Sequence, residues 1–271
     1  MTRTLAVCTD DFGLTVRISQ AISELAHAGR VTIVSCMPQA PAWRASLPLL
    51  ADLPAVVQRG LHFNLTEGAP LSAELRRIWP QFLPLPRLIL AAHLRQLPLA
   101  ALAAEWAAQW KAFTDATGAV PQFVDGHQHV HHLPGVRGVV LEAIAALPSL
   151  PAVRNTGNLT GPGFGVKRWL IEGTGGRALQ RVLVQRGIRH NPSLTGAYDF
   201  IDPDYGAQMR GWLAALPAAG GLLFCHPGYK EDLSTVADPI APARVRELAY
   251  LASDAFVHDL QAADVVLGSV W

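Results

Sequence analysis

The sequence predicts a distorted parallel α/β barrel of seven or eight strands, and two observations carry that prediction. Short apolar runs alternate with helix-period segments through the first 155 residues, the order that parallel βαβ units produce. Acidic and histidine residues recur directly after the apolar runs, at the strand ends where such barrels keep their chemistry. A single catalytic barrel domain over residues 1–271 is expected, since one barrel uses about 250 residues.

Leu5–Thr9 reads as the first buried strand. Leu14, Ile18, Ala21, Ile22 and Leu25 share one face of the helix that follows, and Gly29 suits the position just past its end. Val31–Met37 is the second strand, with a helix around Trp43–Leu53. Val56–Leu65 is the third. Gln122–Gly126 is the fourth, and Pro134 suits the first turn of a helix running to Leu147. Ala152–Arg154 is the fifth. Gly221–Cys225 resumes the pattern, followed by a helix near Ala243–Ser253 and a terminal strand near Val265–Leu267.

Two stretches break this rhythm and read as insertions over the barrel mouth. The segment near 66–98 is rich in proline and leucine and precedes a long alanine-rich helix, Leu99 to Thr117. The segment near 155–196 is rich in glycine and carries Lys167, Arg168, Arg177, Arg181, Arg186 and Arg189. It reads as a loop-plus-helix excursion of the kind that holds substrate loops.

Composition excludes several classes. Half of the residues are hydrophobic and 16% are charged, so the chain can bury a large core and is not disordered. A formal net charge of +1, without a local Lys/Arg cluster, leaves no footprint for nucleic acid or an anionic membrane. No apolar run approaches the roughly 20 residues of a membrane span. The carboxylates at the N-terminus leave no room for a signal-peptide core, so the chain reads as soluble and cytoplasmic. Cys8, Cys36 and Cys225 are odd in number and far apart, which argues for buried thiols and against a disulfide framework.

The chemistry sits in four short motifs. Asp10 and Asp11 follow a buried strand, where paired carboxylates repel unless a cation or a shared proton relieves them. One aspartate could serve as a helix cap; two are more than a cap needs. His62 and Asn64 share one face at the end of the third strand. Asp125, His127, His129 and His131 recur at alternate positions after the fourth. Such a cluster suits a metal, because neutral imidazole is a common ligand. Spacing alone does not say which imidazoles bind. His226 ends a late strand in Cys225-His226-Pro227-Gly228.

Taken together, these motifs resemble the YdjC-like carbohydrate deacetylases, a family that includes chitooligosaccharide deacetylases and a hopanoid-associated branch. The resemblance runs from residue 4 to near the C-terminus. It implies a polysaccharide-deacetylase-like barrel that removes an acetyl group from an N-acetylated sugar or glycolipid. It also implies one divalent metal ion on Asp11, His62 and His127, with Asp10 as general base and His226 as the catalytic acid. Asp125, His129 and Arg154 are expected behind these or against the substrate, with Arg154 holding Asp10 or a substrate oxygen. Family resemblance points to magnesium, and the donor set is also compatible with zinc or manganese. Gly126 stands where the family more usually has serine. A homodimer is compatible with the sequence. The rival readings are a metal-dependent phosphoesterase or amidohydrolase, and a catalytically silent sugar-binding protein.

Overall fold

The computed structural model describes residues 2–162, 165–230 and 238–271. Its longest strand is β1 (Arg3–Phe12), buried without interruption from Leu5 to Phe12, as expected where both faces of a parallel sheet are covered. The others are β2 (Ile33–Cys36), β3 (Gln58–Phe63), β4 (Phe123–Gly126), β5 (Ala152–Val153), β6 (Leu194–Thr195), β7 (Gly221–Cys225) and β8 (Val265–Leu267). All pairings are parallel, in the order β5-β4-β3-β2-β1-β7-β6. β8 pairs with the start of β1, where Leu5 meets Gly221 on one edge and Leu267 on the other.

The sheet curls into a parallel half-barrel. Its far edge meets the chain around β6 through isolated bridges, Val153 to His190 and Leu159 to Leu194, and through Asn155–Asn191 hydrogen bonds. Side-chain alternation along β1 divides the core. Leu5 and Val7 pack outward with the helices. Ala6 and Cys8 join Ile33, Phe123, Ala152, Leu194, Leu222 and Phe224 in a second cluster on the concave side. Trp271 stacks on Phe123 there, with ring centroids 5.3 Å apart.

The helices are α1 (Val16–His27), α2 (Trp43–Asp52), α3 (Ala73–Ile78), α4 (Leu85–His93), α5 (Leu99–Thr117), α6 (Val136–Ala145), α7 (Gly165–Ile171), α8 (Arg177–Arg186), α9 (Tyr205–Ala214), α10 (Ala241–Ala252) and α11 (Asp254–Ala262). The expected apolar face of α1 is buried, each large side chain contributing about 1.5–3 kcal/mol. Gly29 follows the end of α1 at φ +68°. Thr15 caps the start of α1, its hydroxyl accepting from the Ile18 N–H at 3.1 Å. Asp10 and Asp11 are therefore not spent as caps.

Several elements go beyond the sequence expectation. The 66–98 segment contains α3 and α4. The 155–196 segment is more than a loop and helix, because it holds α7 and α8 and then re-enters the sheet as β6. A two-residue strand leaves no periodicity to detect. α9 and α11 are also additional. All three cysteines are buried and free, and no helix among the described residues is long and apolar enough to cross a membrane.

Candidate active site

Adjacent residues on a strand point to opposite faces, so Asp10 and Asp11 could not both face one site from a regular β1. The register resolves this. Thr9 pairs with Val34 and Phe12 with Cys36, leaving one extra residue in β1. Asp11 lies at that bulge with φ 69°, a left-handed conformation that Asp tolerates better than most residues. Asp10 continues the inward row of Ala6 and Cys8, and the bulge turns Asp11 toward β3 and β4.

Asp11 gathers one group of donors. Its Oδ1 lies 3.0 Å from His127 Nδ1 and 3.5 Å from His62 Nε2. Its Oδ2 accepts from Arg244 Nη2 at 2.7 Å. Ligand atoms of Asp11, His62 and His127 all lie within 4.8 Å of one another. Burial opposes ionising Asp11, but the Arg244 guanidinium and His127 hold its carboxyl well below the usual range.

Behind His62, Nδ1 lies 2.6 Å from Asp125 Oδ1, while the Ser35 hydroxyl donates to the same oxygen at 2.6 Å. A carboxylate only accepts, so Nδ1 carries a proton and Nε2 is the ring atom that faces Asp11. Burial disfavours a charged His62, yet the charges of Asp125 and Asp10 push it up to about 10. The cluster thus has an excess of negative charge that attracts a cation, and a metal there would replace the second imidazole proton.

Asp10 belongs to a second, adjoining group. Arg154 is fully buried and donates to both Asp10 oxygens, Nη1 to Oδ2 at 2.8 Å and Nη2 to Oδ1 at 2.5 Å. The same Nη2 lies 2.6 Å from Asp125 Oδ2 and 3.0 Å from Cys8 Sγ. Cys8, Asp10 and Asp125 also form a possible donor cluster, but Arg154 fills it. Being enclosed, Arg154 is available to Asp10 and not to a substrate.

His226, at the end of β7, places Nε2 3.9 Å from Asp10 Oδ2. Its ring meets Phe200 and Phe224 edge-on, with centroids 5.4 and 5.8 Å away. Burial pushes its imidazole down to about 4 against the opposing pull of Asp11 and Asp10, so it is neutral near pH 7. Glu247 anchors it from below, accepting the His226 backbone N–H at 2.5 Å and the Tyr198 hydroxyl at 2.6 Å. Burial raises the Glu247 carboxyl to about 7.

The histidine array does not act as an alternating strand, because β4 stops at Gly126. Residues 127–132 form a tight helical turn in which Gln128 and His129 have φ of 50° and 62°. His127 reaches Asp11. His131 turns inward, its Nε2 2.9 Å from the Arg154 carbonyl. His132 lies between the Thr156 and Thr174 hydroxyls. His129 lines the cavity against Phe224, 5.1 Å between centroids, and burial holds it well below 6.5. Gly126 fits this turn tightly, since a Cβ there would lie 2.8 Å from His131 N and 2.9 Å from His131 Nδ1. Serine could not occupy this position without moving His131. Asn64 builds the loop after β3, its Oδ1 accepting from the Thr66 and Glu67 N–H groups at 2.9 and 3.0 Å.

Asp11, His127, His129, His226 and Arg244 share a cavity of about 350 Å3 with Glu67, Leu85 and Ile89 from one intervening segment and Lys167, Leu170 and Thr174 from the other. Arg244, Ser35 and Glu247 went unread in the sequence. Each lies in an ordinary strand or helix with no motif around it, and only packing brings it to the site.

The fold and these side chains define a class. It is a parallel α/β half-barrel whose strand ends bring together one carboxylate and two imidazoles, a group that could hold a metal ion, beside an arginine-clamped aspartate. A model of the family described as YdjC-like protein matches residues 4–262, and the chain belongs to that family. It is 34% identical over 166 residues to a human carbohydrate deacetylase, covering 58% of this chain and 51% of that protein. It is 34% identical over 140 residues to a chitooligosaccharide deacetylase of Salmonella typhimurium, covering 52% and 55%. The aligned region thus spans about half the length of these relatives. Among solved structures, an Enterococcus faecalis V583 protein with a suggested role in cellobiose-phosphate cleavage superposes with a TM-score of 0.76 at 19% identity. That match covers 100% of this chain and 98% of the other. A mutant CE4-family pseudoenzyme gives 0.51 at 8% identity, covering 98% and 65%. These two likenesses concern the fold.

Proposed function

We propose that the protein is a metal-dependent deacetylase that hydrolyses the acetamide of an N-acetylated sugar or glycolipid. The observation that carries this reading is the adjacency of two separately built groups. The Asp11, His62 and His127 donors converge beside Asp10, which Arg154 holds, and His226 Nε2 lies 3.9 Å from Asp10 Oδ2. The names of the relatives support the same chemistry.

The donor set fits one divalent ion: a carboxylate, a neutral imidazole held by Asp125, and a second imidazole at the cavity edge. Magnesium follows from the family resemblance, and the two imidazoles also suit zinc or manganese. A divalent cation there supplies polarisation of a carbonyl and acidification of water. Asp10 is the proton acceptor, with both oxygens oriented by Arg154. His226 delivers a proton to the departing amine nitrogen. Because burial leaves its imidazole neutral, it must first take up a proton, and Asp10 Oδ2, 3.9 Å from its Nε2, is placed to pass on the one it has taken from water. His129 and the apolar wall around it exclude water and border the substrate.

A two-metal phosphoesterase is less well supported, because Arg154 occupies the neighbouring donor cluster. The test is acetate release from a panel of N-acetylated saccharides and glycolipids, with single metals added back to stripped protein. Acetate release that depends on a divalent ion is expected. Faster hydrolysis of a phosphate diester than of every acetamide would overturn the reading.

A further inference from the structure

Lys167 lies on α7 and lines the same cavity, and the chemistry above does not use it. Its ammonium sits 3.9 Å over the Phe200 ring and donates to the Tyr198 carbonyl at 2.9 Å. Phe200 is itself held at φ 65°, and its ring also meets those of Tyr198 and His226 edge-on. Lys167 and His226 therefore flank one aromatic ring on one wall of the cavity.

The charge around Lys167 is incomplete. Arg244, the other cation lining the cavity, is matched by Asp11 and Asp238. Lys167 forms no ion pair among the described residues, and its three N–H donors have one recorded acceptor. Glu247 and Asp199 act on it only from a distance, and burial, the larger influence, lowers its ammonium to about 8. Around it, residues 155–196 carry six basic side chains against the single acidic Glu172. The neighbouring Arg168 spends its guanidinium on the Gly161 and Leu159 carbonyls, which leaves its charge uncompensated. Lys167 is partly buried in the cavity wall, and its charge has no counter-ion there among the described residues until a ligand supplies one.

We propose that Lys167 is a substrate-binding residue that takes an anionic oxygen group on the acetylated sugar, a carboxylate or a phosphate, so that acidic N-acetylated saccharides are preferred over neutral ones. This rests on the deacetylase reading. The cation–π contact and the Tyr198 carbonyl fix the ammonium in place, and its remaining donors are free for the anion.

The experiment compares acetate release from phosphorylated N-acetylglucosamine, N-acetylmuramic acid and neutral diacetylchitobiose by the wild type, Lys167→Gln and Lys167→Arg. For an acidic substrate, Lys167→Gln should raise KM by about tenfold to hundredfold with little change in kcat. The neutral substrate should be unaffected, and Lys167→Arg should recover much of the loss. Response to either the phosphate or the carboxylate alone identifies which anion is read. Equal losses on neutral and acidic sugars, or no wild-type preference for acidic ones, would refute the assignment. Should the wild type release acetate from none of them, the deacetylase reading fails separately. Calorimetric binding of phosphorylated N-acetylglucosamine then decides Lys167: weaker binding by Lys167→Gln supports the site, and equal or undetectable binding to both proteins removes it.

Discussion

Arg154 grips both carboxylate oxygens of Asp10 from the end of β5, across 144 residues of sequence, without exposing any of its own surface. The clamp fixes which way Asp10 faces beside the metal donors. Asp10→Asn should therefore retain the metal and lose about 10²–10⁴-fold in activity, because an amide cannot accept a proton. Metal binding by calorimetry alongside acetate release checks both halves. Loss of the metal would show that Asp10 is a ligand.

The convergence of His62 and His127 on Asp11 makes the metal site testable residue by residue. His62→Ala and His127→Ala should each weaken metal binding strongly. His131→Ala and His132→Ala, whose rings bond to the Arg154 carbonyl and to threonine hydroxyls, should change it far less. Asp125→Asn, which no longer holds the proton on His62 Nδ1 in the same way, should cost about 10–100-fold in affinity. A metal titration in which His131→Ala binds worse than His127→Ala would contradict the assignment.

His226 has a discriminating test. If it donates the proton to the amine, His226→Ala should lose about 10²–10⁴-fold on an acetamide and much less on an activated acetyl ester, whose leaving group needs no proton. Equal losses on the two substrates would make it a structural or positioning residue.

Glu247 predicts a pH dependence of stability. Its carboxyl is raised by burial to about 7 from 4.5, so the folded chain holds the proton more tightly than the unfolded one. That contribution, a few kcal/mol at most by order of magnitude, is complete below pH about 4.5 and is lost as pH rises through about 7. Tyr198 and the His226 N–H face the carboxyl, with the charges of Arg244 and Lys167 farther off. Glu247→Gln cannot titrate and leaves one donor poorly matched. Its deficit in Tm relative to the wild type should shrink between pH 5 and 7.5, and a constant gap would show that Glu247 keeps an ordinary pKa in the fold.

Much of this was legible in the residues themselves. Strands β1 to β5, β7 and β8 are short, largely apolar or buried runs, and the helices between them have a 3.6-residue period, so local pattern marks them. Asp10, Asp11, His62, His127 and His226 are conspicuous because polar residues at the ends of such runs are costly to keep without a use. What the sequence could not determine was orientation. A regular strand would send Asp10 and Asp11 to opposite faces, and only the bulge against β2, with Asp11 at positive φ, turns both toward the cavity. The alternation of Asp125, His127, His129 and His131 suggested one shared face, but the chain leaves the strand at Gly126 and the turn sends the imidazoles in different directions. Ser35, Lys167, Arg244 and Glu247 take their places through contacts between residues far apart in the chain. Such contacts follow from how the strands curl and pack, so no local pattern records them.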